Sequence, residues 1–300
     1  MEERLKFKDI LNLAAPHSWP ASVAPAVIAM AISFHRTGQL DPLLTACLVV
    51  IVILMQSAVN AFDDYADYLK GTDTLENSPD AFDAVIVYGM KPRTARNLGF
   101  LFLLLAAIPA AYVVWRCGIV PLFIGLAGAL IIFCYAFGKT PISYLPVGEL
   151  FSGLAMGGLV PLAGVQMLTG RLDFSVLLEA LPSIIGIGLI LFSNNGCDIA
   201  RDRAAGRRTL ACLLGPGRTA RWYRILLLGW VASPLVILAS QGRWTAALVY
   251  VLASLAFTHL ISRQCNLPLG PETRRPVMGG ITTLVSLICF AYAFACAVGA

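Results

Sequence analysis

Two short stretches concentrate ionisable side chains in an otherwise oily chain: NAFDDYADYLKGTD, from Asn60 to Asp73, and NNGCDIARDRAAGRRT, from Asn194 to Thr209. Each follows a long apolar run and spaces its acids three or four residues apart. On a helix that spacing aligns Asn60, Asp64 and Asp67 on one face, and Asn194, Asp198 and Asp202 on another. Carboxylates on adjacent turns are the oxygen ligands that Mg²⁺ prefers, and they leave positions for water and a substrate phosphate. The second stretch adds Arg201, Arg203, Arg207 and Arg208, whose planar guanidinium groups suit diphosphate oxygens and a leaving group that gathers charge. Asn60 and Asn194, one turn before the acids, are neutral ligands or donors that orient them. Solvated surface pairs would account for these residues singly, and such pairs are worth little. They do not account for the repeat of Asn, Asp and Asp in both stretches, and polar clusters at a membrane bundle are functional by default.

The elements that must position these residues follow from composition. Hydrophobic residues make up 58% of the chain and charged ones 13%, and the mean hydropathy is +0.77. A soluble domain carries about 25% charged residues, so this is an integral membrane protein. Runs of about 20 apolar residues, the length that crosses the hydrocarbon core, number nine: 16–34, 42–62, 97–115, 118–137, 150–169, 174–195, 222–241, 244–262 and 277–298. The expected fold is therefore all-α, nine transmembrane helices in a single bundle with cap loops, one domain over residues 1–300.

Threading nine spans places eighteen of the 22 Lys and Arg on one side. Only Arg36, Arg116, Arg171 and Arg243 fall on the other. The positive-inside rule then makes the N-terminus cytoplasmic and turns both acidic stretches toward the cytoplasm, with the plasma membrane as the expected location. The net charge of +5 reflects this topology and some attraction to anionic lipid, and implies no nucleic-acid partner. The start, MEERLKFKDILNLAAP, fits an amphipathic interfacial helix, and the first apolar run reads as retained rather than cleaved.

The eight cysteines are scattered, with no CxxC pair and no histidine at ligand spacing, so neither a zinc site nor a disulfide framework is expected. Two long connections, 63–96 and 196–221, each follow an even-numbered span and open with the acidic pattern, a weak internal repeat that lets the two stretches converge. The connections near 138–149 and 264–276 are rich in proline and read as irregular loops.

With these residues in place, the two stretches resemble the aspartate-rich motifs of the UbiA superfamily of intramembrane prenyltransferases. The second motif, with the continuation NNGCDIARDRAAGRRTLACLLG, is similar to the branch that prenylates 1,4-dihydroxy-2-naphthoate in menaquinone synthesis, as is TPISYLPVGEL, from Thr140 to Leu150. The resemblance implies Asp64 and Asp67 on one Mg²⁺ and Asp198 and Asp202 on a second, with Asn60 and Asn194 in support. It implies Lys70, Arg201, Arg207 and Arg208 as contacts of an isoprenyl diphosphate. It places Tyr65, Asp73, Tyr144 and Glu149 around the cavity for an aromatic acceptor. Two positions depart from the branch, which usually carries Asn at Asp63 and Arg at Cys197. The segment 74–90 adds Glu76, Asp80 and Asp83 where a basic residue is expected, and Arg201 or Lys91 is the expected source of the missing charge. Restoring charge with Cys197→Arg is expected to leave activity intact.

The implied reaction is electrophilic: the diphosphate leaves as its charge is neutralised, and an electron-rich ring attacks the allylic cation in an oily cavity that excludes water. Phe62, Tyr65, Tyr68 and Phe192 lie near enough in sequence to stabilise that cation, although belt and packing roles are commoner for such residues. His17 is a polar position at the start of the first span that reaches the cavity or caps the helix. Two other readings stay open. One is a superfamily member with another acceptor, a phenolic acid or a lipid head group. The other is an ion-coupled transporter, in which acids on broken spans hold a cation at mid-membrane.

Overall fold

The computed structural model describes residues 6–71, 74–75, 84–136, 138 and 140–298. Within them the chain is helical, and no strand is present among the described residues. In chain order the helices are α1 Phe7–Ala14, α2 Pro20–Thr37, α3 Pro42–Lys70, α4 Pro92–Cys117, α5 Val120–Ala136, α6 Gly148–Ser152 and α7 Val160–Thr169. There follow α8 Val176–Glu179, α9 Leu181–Cys197, α10 Ile199–Ala204, α11 Leu210–Leu214, α12 Pro216–Ser240, α13 Trp244–Leu255, α14 Thr258–Asn266 and α15 Arg274–Val298. Every one of the nine apolar runs overlaps helix. By length and apolarity, five stretches among the described residues can cross a membrane: α3, α4, Gly148–Thr169, α12 and Pro271–Val298. A sixth requires α13 and α14 together, a pair bent by 63°. The apolar helices α5 and α9 are 17 residues each, roughly 25 Å at 1.5 Å per residue, short of the ~30 Å core.

Helix starts follow from the sequence. Proline stands at the first turn of α2, α3, α4 and α12, where its missing N–H costs nothing. Asp41 caps α3, its Oδ1 accepting from the backbone N–H of Leu43 at 2.9 Å and of Leu44 at 3.0 Å. α3 then continues beyond the apolar run to Lys70 and stops at Gly71, which adopts the left-handed conformation (φ 69°). The first acidic stretch is thus helical through Lys70.

Close packing depends on small residues. A π-helical segment, Gly153–Leu159, joins α6 to α7. Cβ atoms at Gly153 and Gly157 would lie 2.5 Å from the carbonyl oxygens of Ile184 and Ser183 on α9, so the two backbones touch. Ser183 Oγ donates to the Gly157 carbonyl at 2.6 Å, satisfying a group at the irregular geometry. Trp230 of α12 seats its ring against Gly186 and donates to the Pro182 carbonyl at 2.6 Å. On the other flank α3 packs on α4, with Ala58, Ala61 and Ala95 buried and the Phe62 ring lying over Gly99. Leu104, Ile108, Phe123, Leu130, Val236 and Leu248 stay exposed on α4, α5, α12 and α13, a surface suited to lipid.

At the end of the bundle remote from the acidic stretches, Arg36 pairs with Asp173 at 2.9 Å and with Glu179. Arg243 Nη2 donates to the Cys296 carbonyl at 2.7 Å nearby in the sequence order of that face.

Candidate active site

The site is assembled from the C-terminal turns of α3, the α9–α10 junction, the loop after α10, and the link between α1 and α2. The second acidic stretch is not one continuous helix as its spacing suggested. α9 ends at Cys197, Asp198 leaves helical geometry (φ −106°, ψ 16°), and α10 begins at Ile199. Alignment survives the break because the Asp198 N–H still bonds the Asn194 carbonyl at 3.2 Å and the Asp202 N–H the Asp198 carbonyl at 2.8 Å.

A polar cavity of about 330 Å³ gathers Asn60, Asp63, Asp64 and Asp67 from α3 and Asn194, Asp198, Arg201, Asp202 and Arg207 from the second stretch. Asn12, Leu13, Ala15, His17, Ser18, Val85 and Arg274 complete its wall. Arg207 joins the two stretches: its Nη2 lies 3.8 Å from Asp67 Oδ1 and its Nη1 3.4 Å from Asp202 Oδ1. Burial opposes the Arg207 charge, but Asp67 and Asp202 outweigh it and hold the guanidinium pKa above its usual value. Burial, reinforced by Asp198, raises the Asp202 carboxyl above the usual carboxylate range against the pull of Arg207 and Arg201.

Asn60 is occupied by the protein itself. Its Nδ2 donates to the Ala14 carbonyl at 2.9 Å and to Ser18 Oγ at 2.8 Å, and its Oδ1 accepts from Gln56 Nε2 at 3.1 Å. It fastens the α1–α2 link to α3. That link turns at Ala15, whose φ of 48° is left-handed. Asp64 Oδ2 accepts from the Val85 N–H at 3.0 Å, drawing the turn at 85–89 against α3.

A smaller cavity of about 200 Å³ adjoins the first, sharing Asp63, Asp67, Asn194 and Arg207 with it. Lys70, Tyr135, Ser143 and Asn195 also line it. The Tyr144 ring sits beside this space with Lys70 Nζ 5.6 Å and Arg207 Cζ 5.1 Å from its centroid. Glu149 is held by Asn195 Nδ2 at 2.9 Å, and its other oxygen is buried without a hydrogen bond.

Two expected residues, Tyr65 and Arg208, stand apart from the cavities. Tyr65 packs on the apolar cluster of Leu13, Val85 and Ala95 and lines neither cavity. Arg208 is exposed, with its backbone N–H on the Tyr144 carbonyl at 2.8 Å, and also lines neither. Asp73 lies outside the described residues, as do Glu76, Asp80 and Asp83. The aromatics take packing roles: Phe62 meets Phe100 edge-on at 5.2 Å, Phe192 is buried in the core and Tyr68 is exposed. Arg274 was not legible as a site residue. A basic pair, Arg274 and Arg275, at the head of the last apolar run reads only as a topology marker, yet Arg274 Nε reaches Asp198 Oδ2 at 3.2 Å.

The donor set fits a hard divalent cation. Asp202 Oδ2 and Asn194 Oδ1 are buried acceptors with no hydrogen-bond partner. Among the described residues no three His, Cys, Asp or Glu side chains converge as a closed cluster, so the protein offers each ion few ligands. Mg²⁺ tolerates this, because it keeps waters and takes oxygens from substrate phosphates.

A helical membrane bundle with an acid- and arginine-lined cavity at one end defines a class of membrane-embedded proteins built for a metal and an anionic ligand. The chain belongs to the UbiA prenyltransferase family, whose model matches residues 22–278. It is 34% identical over 204 residues to the 1,4-dihydroxy-2-naphthoate octaprenyltransferase of Bacillus subtilis (strain 168), covering 68% of this chain and 65% of that one. It is 29% identical over 222 residues to the human UbiA prenyltransferase domain-containing protein 1, covering 71% and 62%. The matches thus span less than two thirds of the length of these relatives. In fold it is similar to a UbiA homologue from Archaeoglobus fulgidus bound to GPP and Mg²⁺, with a TM-score of 0.67 at 15% identity over 97% of this chain and 99% of that one. The apo UbiA homologue from Aeropyrum pernix K1 gives 0.66 at 16%, covering 97% and 98%.

Proposed function

We propose that this chain transfers a polyprenyl group from an isoprenyl diphosphate to an aromatic acceptor, foremost 1,4-dihydroxy-2-naphthoate, at the cytoplasmic face of the plasma membrane. The observation that carries this reading is Arg207, shared between Asp67 of one stretch and Asp202 of the other inside one polar cavity. Supporting it are the family membership and the likeness to the naphthoate enzyme of B. subtilis. Asp64, Asp67, Asp198 and Asp202 are assigned to hold Mg²⁺, two ions by the pairing of the acids. Bound there, Mg²⁺ neutralises the leaving diphosphate. Arg207, Lys70 and Arg201 bind its oxygens, Asn194 orients the acids, and Asn60, its amide taken up by Ala14, Ser18 and Gln56, fastens the α1–α2 link beside them. The C1–O electron pair leaves with the diphosphate, the acceptor ring supplies the pair that forms the new C–C bond, and the ring carboxylate departs as CO₂, its bonding pair restoring the aromatic ring. Tyr144, flanked by Lys70 and Arg207, and Glu149, fixed by Asn195, stand next to residues that line the smaller cavity, which we assign to the acceptor. The acids lie at one end of the spans, beside arginines, which suits a phosphate ester better than a bare ion at mid-membrane.

The test is to incubate membranes holding the protein with Mg²⁺, labelled isoprenyl diphosphates of several lengths and a panel of aromatic acids, and to identify the lipid product by mass. A prenylated naphthoquinol precursor is the expected product. Cation transport without Mg²⁺ or diphosphate, and no prenylated product from any acceptor, would sink the reading.

A further inference from the structure

Arg274 opens α15, distant in sequence from both acidic stretches, and is half-buried over the cavity. Its Nε donates to Asp198 Oδ2 at 3.2 Å. The loop that delivers it is anchored: Leu269 lies so close to Gly196 that a Cβ there would meet Leu269 Cδ1 at 2.8 Å. The neighbouring position, Cys197, is a buried thiol that brings no charge of its own. One carboxylate oxygen therefore has two claimants, the guanidinium that holds it in this structure and the divalent cation that Asp198 is assigned to bind.

We infer that Arg274 is a substrate-binding residue that exchanges partners: it holds Asp198 while the site lacks ligand and passes to the diphosphate when a cation takes that carboxylate. The inference rests on the metal and diphosphate reading above. Two positive groups cannot share one carboxylate without repulsion, so a cation arriving alone must displace Arg274 from Asp198 while bringing no new anion to receive it. A diphosphate supplies that anion, and arginine binds it with two parallel donors. The cation and the diphosphate consequently bind with positive coupling, each raising the affinity for the other by the same factor. Arg207 is held differently, by two carboxylates at once, Asp67 and Asp202, where Arg274 is held by one.

The experiment uses the full chain in detergent or lipid discs, with Mn²⁺ and inorganic pyrophosphate as probes and no turnover. Two affinities are measured, Mn²⁺ alone by electron paramagnetic resonance, and pyrophosphate at fixed free Mg²⁺ by calorimetry. Arg274→Gln is expected to tighten Mn²⁺ binding and to weaken pyrophosphate binding, each by roughly tenfold, within the usual range of coupling between sites. Arg274→Lys, which keeps the charge, returns pyrophosphate affinity to within a few fold of the unsubstituted chain. Arg274→Met, which keeps the apolar stem, replaces the glutamine variant if thermal unfolding shows that variant to be poorly assembled. The opposite signs separate this role from a structural one, which would weaken both affinities together. Parallel losses, or no change in either affinity, overturn the inference. Absence of pyrophosphate binding in the unsubstituted chain would instead overturn the underlying metal and diphosphate reading.

Discussion

Arg207 touches carboxylates contributed by residues far apart in the chain, so its removal is felt on both sides of the cavity. Arg207→Gln is expected to lower kcat of the proposed transfer by about 10²–10³-fold, the scale for losing one charge-stabilising donor, measured with saturating Mg²⁺. Asp198→Ala and Asp64→Ala should abolish Mg²⁺-dependent product while the bundle still assembles, as read by thermal unfolding; full activity in either variant refutes the metal assignment. Cys197→Arg, which in sequence looks like a restored charge, has a different prospect in the fold. The thiol is 2% exposed and close to Arg274, so the new guanidinium would be buried beside a like charge. A lowered unfolding midpoint is expected. The acids were legible because their spacing repeats, and Arg207 because it sits in the same motif. Arg274 was not, since its segment carries no pattern and enters the site only through tertiary packing, whereas Asn195 and Ser143 lie in the quoted stretches but off the spacing that singled out their neighbours.

Helices set the distances between these residues, and two contacts do most of that setting. Where Gly157 meets α9, an added methyl would lie 2.5 Å from the Ser183 carbonyl and 2.6 Å from the Ile184 backbone. Gly157→Ala should therefore push α9 off the π segment, costing about 1–3 kcal/mol of stability. Because α9 carries Asn194 and leads into Asp198, a loss of roughly 10²-fold in transfer rate is expected alongside it. At the remote end, Ser175 hydrogen bonds and then Arg36 hold the Asp173 carboxyl below its ordinary value of 3.8. A depressed carboxyl stabilises the fold above its unfolded value and loses that effect as pH falls through the folded one. Unfolding followed against pH should thus show the unsubstituted chain more stable than Asp173→Asn by a constant margin above pH 3.8, a margin that shrinks as pH falls below it. The helices themselves were readable from apolar runs, although α3 continues past its run to Lys70 and α12 begins before its run at Pro216. The break at Asp198 and the π segment were not, because glycines within an apolar helical run mark close packing as readily as a change of helix geometry.

For the molecule as a whole, the sequence made the all-helical membrane fold clear, since the length of the apolar runs is a local property. The count of spans was harder to read: α5 and α9 are shorter than a bilayer core, and the eighth run is bent by 63°. Orientation rests on charge placement and can be checked directly. With Gln241→Cys at one end and Arg218→Cys at the other, a membrane-impermeant thiol reagent should label the first in intact cells and the second only after permeabilisation. The reverse pattern would invert the proposed topology. The two flanks also differ in mechanical stiffness. α9 leans on its neighbour backbone to backbone, through glycines that leave nothing to compress, whereas α3 meets α4 through the rotatable ring of Phe62 over Gly99. Under load the compliant flank yields first, so the arm bearing Asp64 and Asp67 is the one that would swing, against a fixed abutment at Asp198.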